Sequence, residues 1–169
     1  MTDSVEERFQ TLGSAAIHTG DGDLPPHHPT CFGCGPDARE GLHLQARREG
    51  DEIVAGHTFG ERHGGAPGIV HGGLVATVLD DMMGFLASVA RVPGVTRRLE
   101  VDYLAPALIG VPYELRARLE RRDGRKLWTS CTGTGPDGGR VFTATALFVV
   151  VPLSHFGKAT GGGPEPVAP

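Results

Sequence analysis

The stretch GIVHGGLVATVLDDMMGFLASVA, Gly68 to Ala90, decides how this chain is read. It enters through His71-Gly72-Gly73, holds no lysine or arginine, and carries two adjacent carboxylates, Asp80 and Asp81. Set at about 100° per residue, Leu74, Val75, Val78, Leu79, Met82, Phe85 and their large neighbours fill half the circumference, which predicts a helix with one side against a sheet. The other side carries Ala76, Thr77, Asp80, Gly84, Ala87 and Ser88, with Asp81 nearer the Leu74 edge. A solvated face normally carries long polar side chains, whereas small ones let another backbone or a slender ligand approach. That face is therefore expected to be covered, by a second subunit among other possibilities, and Asp80 in its middle is expected to be the more buried acid. Such a carboxylate costs on the order of several kcal/mol unless hydrogen-bonded. It either bonds nearby amides and the hydroxyls of Thr77 or Ser88, or it serves chemistry. The two glycines at the helix start either let the loop pack tightly or keep the free N–H groups open to an anion or a polarised carbonyl. An amide pocket together with a carboxylate suits acyl transfer.

Working outward, LHLQARR and EIVAGHTF flank Glu49-Gly50-Asp51 and read as a hairpin. After Val92-Pro93-Gly94 come TRRLEVDYL, PYELRARLERR, KLWTSCTGTG and RVFTATALFVVV, joined by ALIG, by Asp123-Gly124 and by Pro136-Asp137-Gly138-Gly139. The predicted order is β-β-α-β-β-β-β: an α+β domain in which one helix, Gly72 to Arg91, covers a meandering antiparallel sheet. Its bounds are set at 31–155. Residues 1–30 are read as an arm and linker, with a short helix suggested by Ser4-Val5-Glu6-Glu7, and 156–169 as a disordered tail rich in Gly and Pro. A chain of 169 residues with 39% hydrophobic and 21% charged residues fits one such domain, and a net charge of -4 gives no reason to expect nucleic acid. The N-terminus lacks the pattern of a signal peptide and no run of about 18 apolar residues occurs, so no membrane association and a cytoplasmic location are expected.

His71-Gly72-Gly73, six residues, then Asp80 resembles the pattern of hotdog-fold thioesterases of the phenylacetyl-CoA thioesterase (PaaI-like) type, and the likeness covers roughly residues 31–151. The resemblance implies a long helix wrapped by an antiparallel sheet and a homodimer or dimer of dimers with active sites at the subunit interface. It makes Asp80 the general base or nucleophile and the Gly72 amide the group that polarises the thioester carbonyl. The family's Thr/Ser, six residues, Tyr spacing falls on Thr96 and Tyr103, which gives Thr96 the task of positioning water. Some members carry Asn or Gln six residues before the motif histidine, where this chain has Gly65. His63 or His71 is the candidate replacement, with His71 better suited to orienting the loop.

The implied activity is hydrolysis of an acyl-CoA thioester, with no metal or redox cofactor. Site residues are Asp80, Gly72, His71 and Thr96 for catalysis, and Gly73, His63, Arg97 and Arg98 for substrate. Arg97 and Arg98 begin a basic stretch that either holds the phosphates of CoA or is a solvated strand face. A non-catalytic acyl-CoA-binding or sensing module is the alternative, and a hydratase would need a second placed acid. Cys31-Phe32-Gly33-Cys34, with His27, His28 and His43 nearby, lacks the second spaced pair of a zinc site, and Cys131 is remote. A buried, reduced pair anchoring the N-terminal turn is expected there.

Overall fold

The computed structural model describes residues 20–152 and 154–157. Ser4-Val5-Glu6-Glu7 and the tail from 158 onward lie outside the described residues. In chain order the elements are β1 (Gly22–Asp23), β2 (Arg47–Glu49), β3 (Glu52–Thr58), β4 (Gly64–Ala66), β5 (Ile69–Val70), α1 (Gly72–Val89), β6 (Gly94–Tyr103), β7 (Pro112–Asp123), β8 (Lys126–Thr134), β9 (Arg140–Val150) and α2 (Ser154–Gly157). Seven strands form one antiparallel sheet in the order β1-β2-β3-β7-β8-β9-β6, and β4 and β5 make a separate small pair in the loop before α1. This is the expected hotdog fold: α1 packs on β3, β6, β7, β8 and β9.

The alternation of large side chains explains the wrap. Tyr113, Leu115 and Ala117 on β7, Leu127, Thr129 and Cys131 on β8, and Phe142, Ala144 and Ala146 on β9 all point inward. They meet Val78, Leu79, Met82, Met83 and Phe85 of α1, each no more than 2% exposed. Each such Leu, Met or Phe contributes about 1.5–3 kcal/mol by leaving water. By length and composition α1 would suit a membrane span, but its large side chains are spent on this core. Ala87, assigned to the small face, is buried as well, because β6 begins against it and a side chain at Gly94 would stand 2.9 Å from its Cβ.

The sheet differs from the expected meander in three ways. Strand β1 adds to the outer edge of β2, so part of the segment read as an arm is integral to the sheet. The first hairpin arm is a strand only at Arg47–Glu49, although Leu42, Leu44 and Ala46 already alternate into the core. Finally, β6 pairs with β9 rather than β7. The two Asp-Gly turns fix β7-β8-β9 as a meander, and β3 claims the other edge of β7 over seven paired residues. The free edge of β9 is left for β6, so Leu104–Val111 is a crossover, not a hairpin.

Candidate active site

The site begins with how α1 starts. His71 is the N-cap, and its Nδ1 accepts the Gly73 N–H at 2.9 Å, which satisfies one of the free donors of the first turn. A Cβ at Gly73 would lie 3.0 Å from that nitrogen, so glycine permits the cap. Among the described residues no hydrogen bond is made by the Gly72 N–H, while the Gly72 carbonyl accepts the Tyr103 hydroxyl at 2.7 Å. His71, with Nδ1 engaged in the cap, orients the loop. Thr77 Oγ1 donates to the Gly73 carbonyl and so is occupied within its own helix.

Asp80 sits on the half-exposed side of α1 and accepts a hydrogen bond from Thr96 Oγ1 at 2.9 Å. Burial pushes its carboxyl above the usual range, and the nearby Asp81 adds to this, against the opposing pull of the Thr96 hydroxyl and of His27. A bulge in β6 makes the Thr96 contact possible. Leu99 and Val101 point toward the core, and strict alternation would place Arg97 on that side. The register between Thr96 and Arg98 slips by one residue, so Thr96 turns to the helix and Arg97 becomes the extra residue. Arg97 and Arg98 are both exposed, and Arg98 pairs with Glu100 at 2.6 Å.

Other candidates are placed differently. His63 is buried and its Nδ1 accepts the Gly60 N–H at 3.0 Å, with its ring set edgewise to Phe59. Its side chain thus holds the loop through Gly60, and its backbone carbonyl accepts the His71 N–H at 2.8 Å. Gly65 backs directly onto His71, whose Cα would lie 2.8 Å from any Cβ there. The chain therefore has no room for an Asn or Gln at that position without moving the helix cap. A surface concavity of about 1100 Å³, lined by Leu24, Leu44, Val54, Tyr113 and Thr134 among others, contains none of the assigned residues.

The expectation that Asp80 is the more buried acid is corrected. Asp81 is the more enclosed, with its side chain 12% exposed, because the segment 27–34 folds over it. His27 Nδ1 lies 3.1 Å from Asp81 Oδ1, Cys31 Sγ donates to the same oxygen at 3.5 Å, and the His27 ring stacks on Phe85 with centroids 4.1 Å apart. Burial opposes charge on both partners, but their mutual hydrogen bond overrides it. His27 is held well above the usual imidazole range and Asp81 below the usual carboxylate range. The His27 contact draws the Cys31 thiol down, whereas burial pushes Cys34 up. The sequence reading had both cysteines and His27 in view but missed Asp81 as their partner. The contact joins residues 54 positions apart, and no periodicity signals it.

A family model described as the thioesterase superfamily matches residues 67–142, which spans α1 and its entry loop through the start of β9. Acyl-coenzyme A thioesterase THEM4 of Xenopus laevis is 37% identical over 86 residues, covering 50% of this chain and 39% of the relative. The chain thus spans well under half the length of that relative. Among solved structures, a thioesterase superfamily protein superposes with a TM-score of 0.68 at 27% identity, covering 72% of this chain and 60% of the other. A phenylacetic acid degradation-related thioesterase of Ralstonia eutropha JMP134, described as putative, superposes with a TM-score of 0.60 at 27% identity, covering 68% and 90%. The fold agrees with these likenesses: the chain has the hotdog fold and is similar to proteins of the thioesterase superfamily, PaaI-type members among them.

Proposed function

We propose that the protein hydrolyses acyl-CoA thioesters, with Asp80 as general base or nucleophile, Thr96 holding its carboxylate, and the Gly72 N–H polarising the carbonyl. The observation that carries this reading is the hydrogen bond of 2.9 Å from Thr96 to Asp80 on the face of α1 that the sheet leaves open. A half-buried carboxylate with a raised pKa, fixed by a hydroxyl donor, is suited to accept a proton from water or to attack an acyl carbon. The name of the Xenopus relative supports a CoA thioester as substrate. Arg97 and Arg98, exposed beside Thr96, are assigned to the CoA phosphates, and His71 to positioning.

Helix geometry adds a requirement. Gly72 and Asp80 are eight residues apart in one helix, about 12 Å along its axis at 1.5 Å per residue. One thioester carbonyl cannot sit within hydrogen-bond reach of that amide while its carbon lies about 3–3.5 Å from the nucleophile. The reading therefore pairs Asp80 of one copy with Gly72 of a second copy in a two-fold dimer, which would cover the small face of α1.

Subunit mixing tests both parts. Gly72→Pro removes the N–H while keeping the backbone, since proline suits the first helical position, His71 at φ -63 and ψ 125 already has the conformation proline demands of its predecessor, and the added Cβ would meet Tyr103 only at an ordinary contact of 3.4 Å. Thiol release from acyl-CoA should fall about 10²–10³-fold in this variant, as for loss of one oxyanion donor. Mixed after dissociation with Asp80→Asn, it should recover about a quarter of wild-type activity, because half the dimers are mixed and each holds one intact site. Two variants that stay inactive when mixed would place both groups in one subunit, and an undiminished Asp80→Asn would end the catalytic reading.

A further inference from the structure

Around Asp81, four side chains from two distant parts of the chain direct donor atoms to one point. His27 Nδ1 is 3.1 Å from Asp81 Oδ1 and 3.4 Å from Cys34 Sγ, and Cys31 Sγ is 3.5 Å from Asp81 Oδ1. All four donor atoms lie within 4.8 Å of one another. A tetrahedral zinc ion with bonds of about 2.3 Å to sulfur and about 2.0–2.1 Å to nitrogen or oxygen has ligand–ligand edges of roughly 3.3–3.8 Å. The separations of 3.1, 3.4 and 3.5 Å fall at or just below that spacing, and the remaining donor pairs lie within 4.8 Å, close enough for small side-chain adjustments to bring them onto an ion.

We propose that His27, Cys31, Cys34 and Asp81 form a binding site for one zinc ion, which pins the segment 27–34 to the middle of α1. An ion pair between His27 and Asp81 would need neither sulfur, and a buried thiol pair would need neither of the other two. The local backbone is shaped around the point where the ion would sit. A Cβ at Gly33 would lie 2.5 Å from Asp81 Cγ, and one at Gly35 would collide with the backbone of Pro29 and Cys31, so both glycines let the loop close over the carboxylate. The His27 backbone N–H donates to Cys34 Sγ at 3.2 Å, an outer contact that orients the sulfur as a ligand. Asp81 Oδ2 and His27 Nε2 are buried and find no hydrogen-bond partner among the described residues.

Two thiolates and an imidazole select zinc over calcium or magnesium, and four protein ligands make a closed, structural site. On binding, each thiol releases its proton to solvent, as does His27 where it is charged, and the site with zinc carries a net charge of one negative. The site stands apart from the proposed hydrolysis and is read out by metal uptake and stability.

The test uses the full chain, reduced and stripped with a chelator, titrated with Zn²⁺ alone in competition with a chromophoric chelator. The expected result is one zinc per chain, a rise in melting temperature of about 10 °C, and thiolate-to-metal absorption when Co²⁺ replaces zinc. Cys31→Ser and Asp81→Asn should each weaken binding at least about 100-fold, while Cys131→Ser, which alters a cysteine outside the cluster, should leave it unchanged. Failure of the reduced wild-type chain to take up zinc would overturn the proposal whatever the variants do. So would uptake that survives both ligand substitutions, or isolation of the chain as a metal-free Cys31–Cys34 disulfide.

Discussion

Asp80 and Asp81 are neighbours in one helix and share a backbone, yet they live in different molecules as far as chemistry is concerned. Asp80 meets one hydroxyl, from Thr96, and otherwise faces an open surface; Asp81 is enclosed by His27 and two thiols. A step of about 100° around α1 separates them. The difference teaches that burial of a carboxylate is set less by its helix face than by what another segment brings to it. Burial raises Asp80 toward the range useful for proton transfer, whereas the cationic partner of Asp81 holds its acid ionised and fixed.

Asp80→Asn is the largest expected break in this comparison. It keeps the shape and the Thr96 contact but removes the basic oxygen, so turnover should fall about 10²–10⁴-fold with little change in KM. The measurement is initial rate of thiol release across an acyl-CoA panel, with circular dichroism to verify the fold. The same substitution at Asp81 should reverse the pattern. Turnover should change only a few-fold, while loss of a buried ionic partner costs about 3–5 kcal/mol, or roughly 6–20 °C in melting temperature for a domain of this size. Equal kinetic losses in both variants would dissolve the distinction.

Acid sensitivity sharpens the comparison, because a loss of stability at low pH is easily credited to Asp81 when another group contributes. His57 on β3 is 9% exposed, and burial, with the nearby His63, lowers its pKa to about 4. That lies below the unfolded value near 6.5, so between the two the unfolded chain binds more protons. The His57 contribution is complete above about pH 6.5 and is lost as pH falls toward 4, amounting to roughly 2 kcal/mol between pH 7 and 5. Urea unfolding of wild type and His57→Gln at those two pH values should show a drop smaller by about that amount in the variant. Equal drops would remove His57 as the source of the loss, and the His27–Asp81 pair would not replace it, because a raised His27 and a lowered Asp81 lose no stability between pH 7 and 5.

The same contrast marks what the sequence makes legible. Periodicity identifies α1, and alternation with Asp-Gly turns identifies β7, β8 and β9, because these signals are local. The His-Gly-Gly to Asp80 spacing points to the face on which the proposed chemistry is placed. The pairing of β6 with β9 is not legible, since it depends on which sheet edge remains free after β3 has bound β7. The Asp81 cluster is hidden for a similar reason: His27 and Asp81 meet only after the chain has folded back through β2, β3 and the loop. The Thr96 bulge is hidden too, because alternation read through TRRLEVDYL puts Arg97 where Thr96 is needed.

Thr96 supplies the smallest expected effect and the finest test of how Asp80 is held. In Thr96→Ala the base remains, but the oxygen that accepted the hydrogen bond of 2.9 Å is free to rotate about the Asp80 side chain. A misaligned base slows proton transfer without abolishing it, so kcat should fall about tenfold, near 1.4 kcal/mol, while KM changes little. Thr96→Ser restores the donor on the same bulged backbone and should recover most of that loss; Thr96→Val keeps the shape without the donor and should resemble alanine. If valine matched wild type, the hydroxyl would be a strand-edge contact only, and Asp80 would be positioned by something other than the partner that β6 offers it.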